Sequence, residues 1–342
     1  MPTVDPRRLA RSNAEQWIYD RSPFGIFVTS LLLLALFLAS FAAAQLIDRV
    51  PFLDPQGRVA GLTDSVWPAI VLSVMLTVIL GVQRYARTRD NADAPAYARV
   101  FQRSGPQPDF LTPAVRRNLR IATLVGLIAG AGLTGVSVPQ AFLWKHPLIM
   151  LWFFAVESLV SILFARGVVM SARSNELFSR LIRDDLQIDL LRIDLLAVIG
   201  RNGARTALIW FGVAAVICLF FVGDNMAIST FATMLGAAGM GLWIFLQPVM
   251  QVHRRIRAAK QAELEKLRHS ISDLCAKAPG DTDAAARLHG LLAYETRIEA
   301  VREWPFDQTT ALRLSAYLLI PAIPWFGQAI AQYFVERLAH TG

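Results

Sequence analysis

The chain has 342 residues, of which 54% are hydrophobic and 18% are charged, and its formal net charge is +8. Soluble globular proteins carry roughly a quarter of their residues as Asp, Glu, Lys or Arg, so this composition argues against a soluble protein. The high hydrophobicity also excludes a disordered chain, and two cysteines are too few for a disulfide framework. The composition indicates an all-α membrane protein.

Seven stretches are long and apolar enough to cross a bilayer, which takes about 20 helical residues. They lie at 24–47, 66–83, 121–138, 147–165, 206–223, 226–252 and 314–335. The first stretch has an alternative interpretation as a signal peptide, because SFAAAQ resembles a small-residue cleavage site. Its length favours a retained helix, and we therefore predict seven transmembrane helices.

Lysine and arginine are distributed unevenly between these stretches. Alternate connecting segments, starting with the N-terminal one, contain 30 of them, and the other segments contain 4. Because short cytoplasmic loops are enriched in basic residues, this asymmetry predicts a cytoplasmic N-terminus and a periplasmic C-terminus. The basic face is expected to contact anionic lipid headgroups, and no motif indicates nucleic-acid binding.

The predicted topology divides the chain into four parts. They are a cytoplasmic interfacial leader at 1–23, a six-span membrane bundle at 24–252 with cytoplasmic loops at 84–118 and 166–205, a cytoplasmic helical hairpin at 253–306, and a seventh span with an outer C-terminus at 307–342. The first loop contains four prolines and is predicted to have little regular structure. The second has apolar residues at helical spacing, so its residues 172–200 should pack against the bundle or lie in the interface.

The hairpin is predicted from two apolar seams separated by Pro279 and Gly280. The seam residues are Leu264, Leu267, Ile271 and Leu274 in the first helix, and Leu288, Leu291, Tyr294, Ile298 and Val301 in the second. Residues at such spacing lie on one face of a helix. Two alternatives are open: the seams cover one another, or the hairpin contacts a cytoplasmic partner protein or a second copy of the chain.

The last quarter of the chain contains HRRIR, EWPFD and YLLIPAIPWFGQAI. These stretches resemble the tail of a group of uncharacterised bacterial polytopic inner-membrane proteins, and DLLRIDLLAVIGRNGARTAL is similar to a segment between two of their spans. The resemblance implies a bacterial inner membrane and the same topology. It implies no activity.

The sequence offers little support for an enzyme. All five histidines lie outside the predicted spans, which removes the usual ligands of an intramembrane haem or metal. Signatures of the P-loop, HExxH and Gly-x-Ser-x-Gly types are absent from the sequence. We therefore expect a non-enzymatic protein with no catalytic residues, no metal and no cofactor.

One carboxylate and one broken helix are candidates for an ion or solute pathway. Glu157 is the only charged side chain within the predicted spans. In the last span two prolines remove amide donors and free two carbonyls, and broken helices at membrane depth often bind ions or substrates. The candidate residues are Glu157, Tyr317, Ile320, Pro321, Pro324, Gln328 and Gln332. The alternatives are a hydrogen-bonded structural glutamate and an ordinary proline kink.

Small residues in two spans are candidates for close helix packing. Gly126 and Gly130 have GxxxG spacing in the third span, and Gly236 and Gly241 lie in the sixth. The packing is expected either within the chain or in a homo-oligomer. The function expected from the sequence is a channel or transporter for a small ion or solute. The alternative is a membrane scaffold or signalling protein that acts through its hairpin.

Overall fold

The computed structural model describes residues 17–54, 62–100, 112–134, 140–184, 186, 188–191, 196–221, 228–277, 282–304, 312, 315, 316 and 319. The helices in this part of the chain are α1 (Trp17–Arg21), α2 (Ile26–Ile47), α3 (Val66–Val100), α4 (Pro113–Leu133), α5 (Gln140–Leu143), α6 (Pro147–Asp184), α7 (Ala197–Cys218), α8 (Ile228–Lys277) and α9 (Thr282–Glu299). A short 3-10 turn at Leu219–Phe221 extends α7. The described residues form no β-strand, so the all-helical class is confirmed.

Four of the described helices, α2, α3, α6 and α8, are long and apolar enough to cross a membrane. This composition agrees with a membrane-embedded protein. By contrast, α4 and α7 begin in arginine-containing segments, with Arg116 and Arg117 in one and Arg201 and Arg205 in the other, which lowers their hydropathy. The span predicted at 314–335 lies almost wholly outside the described residues.

Helix α6 is the element that joins the bundle together. It packs along α4 and also contacts α2, α3 and α8, while α7 packs along α8 and against α3. In the core, the ring of Phe41 from α2 lies edge-on to Trp152 and Phe153 of α6, with centroids 5.0 and 6.0 Å apart. Such edge-to-face pairs add to the free energy gained by burying the rings.

The first turn of α6 is capped by Asp48, which follows the C-terminal end of α2. The carboxylate oxygen Oδ2 of Asp48 accepts hydrogen bonds from the backbone N–H of Leu148 at 3.0 Å and of Ile149 at 2.9 Å. A carboxylate here satisfies donors that have no partner within the helix, and its charge favours the positive end of the helix dipole. Asp48 therefore ties the end of α2 to the beginning of α6.

The prediction of little regular structure at 84–118 was wrong for 84–100, because α3 continues to Val100. A helix that already exists adds residues without the cost of nucleation, and this one continues through Pro95. Asp93 on this extension forms an ion pair with Arg205 of α7, which holds the extension against the bundle. Such a contact between distant segments cannot be recognised from local composition.

The C-terminal part of the same predicted loop is also helical. Helix α4 begins at Pro113, and the Oγ1 of Thr112 accepts a hydrogen bond from the Val115 N–H at 3.4 Å. Proline at the first helical position and threonine at the cap are common helix-start residues. Residues 101–111 lie outside the described part of the chain.

Described residues of the segment 172–200 pack against α8. Ile182 and Ile199 are fully buried in a cluster with Val252 and Ile256 of α8. Polar bonds between α6 and α8 continue the contact. They join Asn175 to Gln247 and Gln251 to Ser179.

Helix α9 packs against the distal half of α8 and is bonded to it at two places. The guanidinium of Arg268 donates to Glu295 at 3.0 Å and to Glu299 at 2.9 Å. The ammonium of Lys260 donates to the carbonyls of Glu299 at 2.8 Å and Val301 at 3.0 Å, which satisfies acceptors at the end of α9. Leu267 and Ile298 are the most buried of the described seam residues.

Candidate functional site

Helix α4 crosses α6 at the two glycines of its GxxxG sequence. A Cβ atom at Gly126 would lie 2.5 Å from the Cα of Ile162, and one at Gly130 would lie 2.4 Å from the Cα of Ser158. Real Cβ atoms essentially never approach other heavy atoms within 3.0 Å, so any larger residue would force the helices apart. The structure places the GxxxG face in a contact within the chain.

The two glycines of α8 differ in their surroundings. A Cβ at Gly241 would lie 2.9 Å from the Cβ of Trp210 in α7, whereas a Cβ at Gly236 would meet no described atom within 4 Å. Positions five residues apart lie about 140° apart around a helix of 3.6 residues per turn. Among the described residues, close packing is therefore seen at Gly241 and not at Gly236.

Glu157 lies beside the α4–α6 crossing and is only 3% exposed. It lines a cavity of about 620 Å³ between α3, α4, α6 and the end of α7, which we call the Glu157 cavity. Among the described residues, the polar side chains lining it are those of Asn118, Glu157 and Ser161. The other described lining side chains are apolar.

The remaining predicted pathway residues all lie outside the described residues. They are Tyr317, Ile320, Pro321, Pro324, Gln328 and Gln332. Whether the carbonyls freed by the prolines lie near Glu157 stays a prediction.

A second cavity, of about 440 Å³, lies between α3, α6, α7 and α8, and we call it the arginine cavity. Its polar lining includes Gln83, Arg87, Arg166, Asn175, Asn202 and Thr206. No acidic side chain is among the described residues that line it. The described lining therefore includes two cationic residues together with residues that carry neutral amide and hydroxyl groups.

The two arginines reach this cavity from different helices. The Nη1 of Arg87, on α3, is buried and has no hydrogen-bond partner among the described residues. Arg166 extends from α6 towards α4, where its Nη1 donates to the Oγ1 of Thr123 at 3.4 Å. A buried guanidinium donor is costly unless an acceptor satisfies it, so the lining favours a ligand with acceptor oxygens.

Several arginines close to the cavity have carboxylate partners of their own. Arg84 pairs with Asp20, Arg205 pairs with Asp93, and both Arg173 and Arg180 pair with Glu176. The hydrogen bonds from its two arginines lower the pKa of Glu176, which belongs to the polar extension of α6 beyond the predicted span 147–165. These carboxylates are therefore engaged by arginines other than Arg87.

The two cavities meet at Phe164, which lines both of them. Its ring lies edge-on to Trp210, with centroids 5.6 Å apart and planes at 83°. Glu157 and Arg166 are nine residues apart on α6, which is about 13 Å along the helix axis. Phe164 thus lies between a carboxylate at one end and a guanidinium at the other.

Sequence reasoning missed Arg87, Arg166 and Phe164 because each resembles an ordinary residue at the end of a span. One signal was available: several lining residues fall at the span ends that the basic-residue asymmetry predicts to be cytoplasmic.

In comparisons with known proteins, no family model, no curated protein and no solved structure matches this chain.

Proposed function

We propose that this protein is a non-enzymatic integral membrane protein that moves a small ion or solute across a bilayer. The observation that carries the proposal is the pair of cavities within the helix bundle, which share the side chain of Phe164 as a wall. Sites between the helices of a bundle are common ligand positions, and the volumes match small-molecule sites of about 300–1,000 Å³. The solute passes between the cavities when the Phe164 ring moves.

The proposed topology has seven spans, a cytoplasmic N-terminus and a periplasmic C-terminus in a bacterial inner membrane. In this orientation the arginine cavity opens towards the cytoplasm. Glu157 follows the start of α6 by ten residues, or about 15 Å, which is half of a hydrocarbon core of about 30 Å. In this topology residues 314–335 form the seventh span.

Reporter fusions test this topology. A reporter that is active only in the periplasm is expected to work at Gly342 or within 54–62, and to be inactive within 90–108 or 279–283. The reason is the alternation of basic-rich and basic-poor segments. Periplasmic activity at 279–283 would contradict the orientation and the count of seven spans.

Substitutions at Phe164 test the transport function. Purified protein is reconstituted in liposomes, and the uptake of labelled rubidium and labelled phosphate is followed with time. Phe164→Ala removes the ring that separates the two cavities and is expected to raise uptake of the transported ion. Phe164→Trp places a larger ring there and is expected to lower that uptake. Phe154→Ala is the matched control, because Phe154 lies on the same helix and is 42% exposed outside the cavities.

Two results would contradict the proposal. The first is uptake by the wild-type protein that does not exceed that of protein-free vesicles for either ion. The second is an equal response of uptake to Phe164→Ala and Phe154→Ala. In either case the cavities would not form a pathway through Phe164.

A scaffold or signalling protein is the second candidate function. It is favoured by the continuity of α8, whose 50 residues join the bundle to α9 without interruption. Replacement of 257–300 by a short flexible linker is expected to abolish a crosslinked assembly if the distal half of α8 and α9 together bind a partner protein or a second copy of the chain. An unchanged crosslinking pattern would remove this candidate.

A further inference from the structure

The arginine cavity combines positive charge with neutral hydrogen-bond donors. Arg87 on α3 and Arg166 on α6 are the cationic residues of its described lining, and Gln83, Asn175 and Asn202 line it from three helices. The described lining contains no carboxylate. This donor set is suited to an oxyanion, because a guanidinium binds phosphate through two parallel N–H···O bonds.

Arg87 differs from the arginine one turn earlier on the same helix. Arg84 bonds the carboxylate of Asp20, whereas the buried Nη1 of Arg87 has no partner in the described part of the chain. Removing one partner of a buried charged group leaves a large desolvation cost. Arg87 is half-buried as a whole, and its buried Nη1 is a donor that an anionic ligand within the cavity would satisfy.

We propose that the arginine cavity binds a phosphate group, with Arg87 as its principal ligand and Arg166 as the second cation. The inference rests on the proposed function only in taking this oxyanion as the transported species. The same chemistry is offered by free inorganic phosphate and by the headgroup of an anionic phospholipid. The predicted orientation places the cavity at a membrane face where both are present.

Thermal unfolding of the purified full-length protein tests the binding site. In a neutral detergent, inorganic phosphate is titrated against potassium chloride of equal ionic strength. In a parallel arm, the protein is placed in phosphatidylcholine vesicles with and without phosphatidylglycerol. A ligand that binds only the folded state raises the melting temperature with its concentration. We expect this rise with inorganic phosphate or with phosphatidylglycerol.

The decisive variant is Arg87→Gln, which keeps a hydrogen-bonding side chain and removes the charge. It is expected to weaken the apparent affinity about ten- to a hundredfold, the usual effect of losing a charge-assisted hydrogen bond. Arg89→Gln is the matched control, because Arg89 is on the same helix, is exposed and lies over the ring of Tyr85 at 5.5 Å. If Arg87→Gln does not fold, Arg166→Gln replaces it.

The outcomes separate the ligand from the function. A shift with inorganic phosphate supports a free oxyanion, and a shift only with phosphatidylglycerol supports a lipid headgroup; both require loss of the shift in Arg87→Gln. No shift with either probe, or equal shifts in wild type and Arg87→Gln, would overturn the inference. Rubidium uptake without phosphate binding would overturn the phosphate-site inference and leave the transport proposal standing. Phosphate binding without any ion uptake would support the phosphate site and overturn the transport proposal.

Discussion

The α4–α6 crossing provides the sharpest test of the packing described above. In Gly130→Ala, the new methyl group would lie 2.4 Å from the Cα of Ser158 and 2.8 Å from the carbonyl oxygen of Glu157. Both atoms belong to backbone, so neither can rotate away. The variant is expected to fold with the two helices displaced at this point or to lose stability.

The size of the effect follows from the distances. Ordinary contacts of a Cβ atom begin at 3.4 Å, so the helices must separate by about 1 Å to accept the methyl group. Overpacking of a filled core costs about 1–3 kcal/mol. Gly132→Ala is the matched control on the same helix, because its methyl group would meet no described atom within 4 Å. That control is expected to be neutral or to gain about 0.5–1 kcal/mol of helix propensity.

The assay is thermal unfolding of the two purified variants in the same detergent, together with their oligomeric state. The reasoning predicts a lower melting temperature for Gly130→Ala than for both Gly132→Ala and wild type, with no change of oligomeric state. Equal melting temperatures for all three would refute a close crossing at Gly130. A change of oligomeric state with unchanged melting would instead assign the GxxxG face to a contact between copies.

Three further predictions follow from particular contacts. Asp48→Ala is expected to lower the free energy of unfolding by about 1–2 kcal/mol, measured by thermal or chemical denaturation, because α6 loses its cap, and Asp48→Asn should retain much of that stability. Glu157→Gln is expected to preserve the melting temperature, and to abolish cation uptake in liposomes if Glu157 carries or coordinates a cation; full cation uptake in the variant would leave Glu157 with a structural role only. Asp93→Asn is expected to speed amide hydrogen exchange within 84–100, because the ion pair with Arg205 is lost, and unchanged exchange would show that the pair does not hold the extension.

Hydropathy averaged over neighbouring residues was sufficient to predict where described helices of the bundle lie. Hydropathy placed stretches at 24–47 and 147–165, and the structure has helices beginning at Ile26 and Pro147. This agreement has a physical reason: a segment in hydrocarbon must satisfy its backbone internally, so a long apolar run predicts a helix. The same local reasoning failed at 84–100, where polar composition was interpreted as a loop although an existing helix continues through it.

Only the tertiary structure decided which surfaces meet. The sequence identified Gly130 as a packing residue but left a second copy and the same chain as alternative partners, and the structure places α6 against it. It gave no indication that Asp48 caps a helix beginning about a hundred residues later, or that Arg87 and Arg166 line one cavity. Hydropathy and charge are properties of neighbouring residues, whereas these contacts depend on the fit between helix faces that are far apart in the chain.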